Sequence, residues 1–210
     1  GEPDGGTYGR MYVYMGSATG LPTTADTQIP GSSSYTDFGK QVAGAGDVDG
    51  DGTPDVVLAK GRHWPLVDMI MRNDGKGRFT PSPLSDTPDR TYSAALADLD
   101  GDGDLDIVVS NDNPDKKLIY LNDGKGHFTV IGTFGEPEWS TRYVTVADLN
   151  GDKRPDLIVA NRSSNPSAPK PSFVCLNDGK GGFPRCEPLA TQSATIIVAA
   201  DLDGDGKIDL

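Results

Sequence analysis

Asp98-Leu99-Asp100-Gly101-Asp102-Gly103-Asp104-Leu105-Asp106 decides how the chain is read. The same nine-residue pattern returns as Asp47 to Asp55 (DVDGDGTPD), Asp148 to Asp156 (DLNGDKRPD) and Asp201 to Asp209 (DLDGDGKID). The first residues stand at 47, 98, 148 and 201, so the steps are 51, 50 and 53. A second motif, N-D-G-K-G, starts at Asn73, Asn122 and Asn177, and an aromatic follows each time: Phe79, Phe128 and Phe183. Two motifs in fixed order at a constant period are the signature of a repeat architecture.

The segments around these motifs predict strands. Ser93-Ala94-Ala95-Leu96-Ala97 precedes the second acidic loop and Leu105-Asp106-Ile107-Val108-Val109 follows it; then come Leu118-Ile119-Tyr120-Leu121, the Asn122 turn, and His127-Phe128-Thr129-Val130-Ile131. These are short β-branched and aromatic runs between Gly, Asn and Asp, and no stretch keeps an i, i+3, i+4 apolar period over helix length. Asp-Gly between two such runs signals a hairpin. One repeat is therefore a four-stranded antiparallel unit of about 50 residues, the size of a β-propeller blade. The fold class predicted is an all-β propeller of about four blades within one domain, 1–210, with repeats near 38–88, 89–139 and 140–192. Arg10-Met11-Tyr12-Val13-Tyr14 with the Gly16–Gly20 turn takes a third-strand position, and Ile196–Ala200 takes a first-strand position. The two ends, 193–210 with 1–37, are expected to complete one split blade. The alternative is a piece of a larger propeller, completed by a second fragment or a second copy of the chain.

Composition narrows the function classes. The chain has 210 residues, 31 acidic and 19 basic, with a formal net charge of −12. No basic stripe is present, which argues against nucleic acid. The longest apolar run, Ala194 to Ala200, is far too short to span a bilayer. Gly1–Gly6 is polar and does not read as a signal peptide. Asp or Asn at loop positions 1, 3, 5 and 9 accounts for fifteen of the 31 acidic residues, with Asn150 replacing one carboxylate. About half of the acidity thus sits at these loop positions.

Alternate side chains of a curled loop point to one centre, and Gly at positions 4 and 6 permits the curl. Ca²⁺ takes six to eight oxygen ligands in flexible geometry, so about four Ca²⁺ are expected. The predicted ligands are Asp47, Asp49, Asp51 and Asp55; Asp98, Asp100, Asp102 and Asp106; Asp148, Asn150, Asp152 and Asp156; and Asp201, Asp203, Asp205 and Asp209. Position 7 (Thr53, Asp104, Arg154, Lys207) adds a backbone carbonyl. An EF-hand is excluded, because position 12 holds no Glu and strands flank the loop. The third loop, with Asn150, Lys153 and Arg154, is expected to bind last. No His or nucleophile stands beside the loops, so the metal's expected role is structural, coupling folding to ion binding.

Phe38-Gly39-Lys40-Gln41-Val42-Ala43-Gly44-Ala45-Gly46-Asp47 resembles the FG-GAP repeat of the integrin α-subunit propeller, and the later units are similar to bacterial VCBS-type repeats. A fungal propeller lectin shares this repeat style. The resemblance implies a Ca²⁺-binding propeller, secreted or on the cell surface, used for adhesion or for binding a glycan or an extracellular protein. About four units are present here, where seven is usual.

In an up-and-down blade the acidic loops and the N-D-G-K-G turns share one face. The opposite face receives Arg62, His63 and Trp64, Asn111, Arg162 and Trp139, a candidate ligand set in which an aromatic plate stacks on a sugar and polar groups meet its hydroxyls. The alternative is that the two tryptophans wedge between blades. His63 and His127 read as surface positions. Neither G-x-S-x-G, H-E-x-x-H nor G-x-x-x-x-G-K-[ST] occurs, so no catalytic residue is assigned. The expected function is non-catalytic recognition; the rivals are a lyase-like, calcium-dependent polysaccharide-active enzyme and a purely structural adhesion module. Cys175 and Cys186 flank the third turn symmetrically, which suits a hairpin disulfide in an oxidising compartment, or else two free thiols.

Overall fold

The computed structural model describes residues 10–13, 27–30, 41–62, 64–163, 165, 167–189 and 193–210. The elements are β1 (Arg10–Val13), β2 (Thr27–Pro30), β3 (Gln41–Gly46), β4 (Asp55–Ala59), β5 (Met69–Asn73), β6 (Phe79–Pro83), β7 (Thr91–Ala97), β8 (Asp106–Asn111), β9 (Lys117–Asn122), β10 (Phe128–Phe134), β11 (Thr141–Ala147), β12 (Asp156–Asn161), β13 (Phe173–Leu176) and β14 (Arg185–Pro188). Among the described residues there is no helix, and hence none long and apolar enough to cross a membrane. Three four-stranded antiparallel meanders, β3 to β6, β7 to β10 and β11 to β14, are the propeller blades.

The second strand of each blade explains the stacking. In β8 (DIVVSN) and β12 (DLIVAN) every residue is buried. Side chains alternate between the two faces of a strand, so a strand apolar on both faces needs a neighbour on each. Ile107 and Val109 point into a core with Val48, Val57, Ile70 and Tyr120, between the first and second blades. Val108 points the other way, into a core with Leu99, Ile119, Val144, Leu157 and Phe183, between the second and third. Each such aliphatic side chain contributes about 1.5–3 kcal/mol on burial. The outermost strand β10 faces water on one side, leaving Val130 and Ile131 exposed.

Two expectations fall differently at the ends. β1 pairs with β2 in a two-stranded sheet of its own, as third and fourth strands of a blade would, but no described strand joins it to the C-terminal segment. Residues 196–199 are not a strand. Ala200 and Asp209 form an isolated antiparallel bridge, and the Ile197 carbonyl accepts from the Thr145 hydroxyl of β11. Among the described residues no strand pairs with this segment. The Gly16–Gly20 turn lies outside the described residues.

Candidate functional site

Each acidic loop is closed by its own first and last carboxylates. In the second loop Asp98 accepts from Gly101 N at 2.7 Å and Gly103 N at 3.1 Å. Asp106 accepts from Leu99 N at 2.8 Å through one oxygen and from Asn122 N at 2.9 Å through the other, tying the loop to the N-D-G-K-G turn. Asp55 and Asp156 repeat this with Val48 and Asn73, and with Leu149 and Asn177. Position 6 lies in the left-handed region, where Gly costs least: φ is 87° at Gly52, 97° at Gly103 and 85° at Gly206. Lys153 adopts φ 68° at the same place.

The curl brings positions 1, 3 and 9 together. Asp47, Asp49 and Asp55 each offer an oxygen, all within 4.8 Å of one another, as do Asp98, Asp100 and Asp106, and Asp201, Asp203 and Asp209. Position 5 stands outside these triads: Asp51, Asp102, Asp152 and Asp205 each accept from the backbone N–H of position 7. In the third loop Asn150 occupies position 3 and its amide donates to Asp152 at 3.1 Å. The triads are electrostatically costly alone. Burial, then neighbouring carboxylates, push Asp106 up to about 6 and raise Asp55 and Asp100. Asp49 Oδ1 is buried and has no hydrogen-bond partner. An all-oxygen donor set with a buried, unpartnered carboxylate oxygen fits a hard divalent cation.

The loops and turns meet across blades as strand parity requires. Asn122 Nδ2 donates to Leu105 O of its own blade and to Val48 O of the preceding loop, at 3.1 and 2.9 Å. Asn177 Nδ2 does the same with Pro155 O and Leu99 O, at 3.1 and 2.9 Å. The sequence marked these asparagines as turn residues; their role as clips between blades shows only once neighbouring repeats are stacked.

On the opposite face the candidate ligand residues do not form one patch. Trp64 is 61% exposed, Arg162 is exposed and Arg62 is half-buried. Asn111 is fully buried, accepting from Thr91 and donating to Lys116 O. Trp139 packs into the core between the second and third blades, stacked on Phe173 with centroids 3.9 Å apart. Gly135, at φ 60°, leaves the space that Trp139 fills, since a Cβ there would lie 2.3 Å from the indole. His63 lies outside the described residues. Two residues that sequence reading missed stand near Arg62: its guanidinium lies 5.5 Å from the Tyr92 ring centroid, and that of Arg142 lies 4.0 Å from it. Tyr92 and Arg142 each follow the repeated Thr at a first-strand bulge, which is the signal that relates them. Cys175 and Cys186 occupy paired positions of β13 and β14 and are joined in a disulfide.

Comparison with known proteins supplies the family. The chain is 33% identical over 76 residues to integrin alpha-4 of Xenopus laevis, covering 35% of this chain and 7% of that protein. It is 33% identical over 93 residues to integrin alpha-E of Mus musculus, covering 40% and 8%. It therefore spans less than a tenth of either relative. A solved structure of an Agrocybe aegerita lectin, described as specifically recognising non-reducing terminal N-acetylglucosamine, is similar with a TM-score of 0.46 and 24% identity, over 70% of this chain and 37% of that one. A family model described as FG-GAP-like repeat matches residues 47–109, 98–159 and 148–210. With 47–210 covered by three successive matches, the chain belongs to the FG-GAP-like repeat family.

Proposed function

We propose that the chain is a calcium-stabilised, extracellular propeller module that recognises a glycan or protein ligand without catalysis. One observation carries the metal reading: carboxylates at positions 1, 3 and 9 converge within 4.8 Å in three loops, and the first keeps a buried, unpartnered oxygen at Asp49. Asp47, Asp49 and Asp55, Asp98, Asp100 and Asp106, and Asp201, Asp203 and Asp209 would hold the ion, with the position 7 carbonyl completing the shell. A bound Ca²⁺ supplies charge compensation and a cross-link between loop start, loop end and the following turn. The third loop, with an amide at position 3, is the weakest of the four. The disulfide suits an oxidising compartment and supports the extracellular reading.

Ligand recognition is assigned to the face away from these loops, where Trp64, Arg62 and Arg162 are the side chains at hand. An exposed indole suits stacking on a sugar ring, and guanidinium groups suit hydroxyls or a polar protein surface. A glycan array probed in Ca²⁺ and again in EGTA tests it. Binding in Ca²⁺ that falls when Trp64→Ala is used supports the module; no glycan bound in either condition removes the lectin form of the proposal and leaves a protein ligand. Release of unsaturated products from polyuronates would instead establish the lyase-like enzyme.

A further inference from the structure

Arg72 occupies an unusual place in the repeat. It precedes the turn asparagine Asn73, where the second and third blades have Leu121 and Leu176. At the seam of the second and third blades this position is apolar: a Cβ at Gly181 would lie 3.0 Å from Leu121. At the seam of the first and second blades the same space holds a guanidinium, 2.7–2.9 Å from a Cβ at Gly126. Burying part of an arginine where leucine serves elsewhere calls for a charged partner. That partner is Asp49 at position 3 of the first acidic loop, with Arg72 Nη1 3.2 Å from Asp49 Oδ2. The other nitrogen, Nη2, donates to Gly126 O of the next blade at 2.7 Å, and Nε reaches Ser82 Oγ at 3.4 Å. The guanidinium is therefore fixed at three points, and it fixes one oxygen of Asp49. The other oxygen, Oδ1, is buried and has no hydrogen-bond partner, and Asp49 is one of three carboxylates, with Asp47 and Asp55, that each bring an oxygen within 4.8 Å of the others.

We propose that Arg72 is a positioning residue for a divalent cation in the first loop: it holds Asp49 by Oδ2 so that Oδ1 faces the ion, and it links that loop to the turn of the second blade. This rests on the calcium reading above. Groups that orient a ligating carboxylate typically change metal affinity 10–100-fold when removed. The opposite effect, a positive charge repelling the ion, would act through the same contact with the opposite sign, so affinity decides between them.

The test is calorimetric titration of the EGTA-stripped chain with CaCl₂, comparing wild type, Arg72→Leu, Arg72→Lys and Asp49→Asn. Leucine is the residue of the other blades, so the seam keeps an apolar occupant. The expected result is one class of site weakened 10–100-fold in Arg72→Leu and partly rescued in Arg72→Lys, with the other sites unchanged. Adding Arg72→Leu to Asp49→Asn should then change nothing further. Unchanged or tighter binding in Arg72→Leu overturns the proposal. If that variant does not fold, Arg72→Lys decides alone: a point charge that cannot fork between Asp49 and Gly126 must weaken one site. Wild-type protein that takes up no Ca²⁺ overturns the calcium reading itself, a different outcome from a wild type that binds and an Arg72→Leu that binds equally well.

Discussion

Leu99 and Leu202 sit at the same position of nearly identical loops, and one is 1% exposed while the other is 77% exposed. The loops around them close alike. Asp98 and Asp201 each accept from the two glycine N–H groups at positions 4 and 6, and Asp106 and Asp209 each accept from the leucine N–H. The curl is thus encoded within nine residues and needs no neighbour. What differs is the surroundings. Leu99 is roofed by the third blade's turn, whose Asn177 amide and Gly181 N–H both donate to its carbonyl. A local motif makes the site; the next repeat along makes it part of a core.

Truncation should separate the two positions most. Leu99→Ala is expected to cost about 2–5 kcal/mol, as for a large core side chain. Leu202→Ala should stay within about 0.5 kcal/mol. Urea unfolding of both variants at fixed Ca²⁺ measures this, and equal losses would mean that Leu202 is also buried in solution. The clip comes next. Asn177→Ala removes the donor to buried Pro155 O and one donor to Leu99 O, at about 1–3 kcal/mol. Asn73→Ala should cost less, because among the described residues its amide serves only Pro54 O.

Asp68 offers a check on the face away from the loops. The Thr91 hydroxyl has a single proton and lies 2.7 Å from Asp68 Oδ2 and 2.8 Å from Asn111 Oδ1. The Asp68 carboxyl thus shares the one Thr91 proton with Asn111, whose amide is oriented by its bond to Lys116 O, and it accepts from Lys60 N as well. Burial outweighs these hydrogen bonds and pushes Asp68 up to about 7. Since the folded chain holds this proton more tightly than the unfolded one, the contribution of Asp68 to stability is greatest at the acid end and falls as pH rises from about 4 to about 7, by at most about 1.4 kcal/mol per pH unit. Asp68→Asn should flatten that slope in urea melts, while a slope identical to wild type would show Asp68 ionised throughout. Smallest is Lys153→Gly, which relieves the left-handed backbone in the third loop and should raise stability by up to about 1 kcal/mol.

Much of this was legible in the chain itself. The period near 50, the strand runs and the placement of loops and turns on one face follow from motif order and from alternation, and the blades reproduce them. Positions 1, 3 and 9 were also readable as a converging set. Position 5, expected among the ligands, accepts from the position 7 N–H in each loop. The opposite face was least legible. Trp139 reads either as a surface plate or as a wedge between blades, and Asn111 as a surface group; Trp139 is stacked on Phe173, and Asn111 is buried against Thr91 of the adjacent strand. Arg72 reads as an ordinary strand residue until Asp49 and Gly126 are brought beside it.

If the acidic loops are calcium sites that fasten the blades, the melting temperature in excess Ca²⁺ against EGTA reads that fastening most directly. One site filled at a hundred times its dissociation constant stabilises by about 2.7 kcal/mol, and a chain of this size shifts by about 2–4 °C per kcal/mol. The expected result is a rise of at least about 5 °C in Ca²⁺, larger than that in equimolar Mg²⁺. An unchanged melting temperature would contradict it.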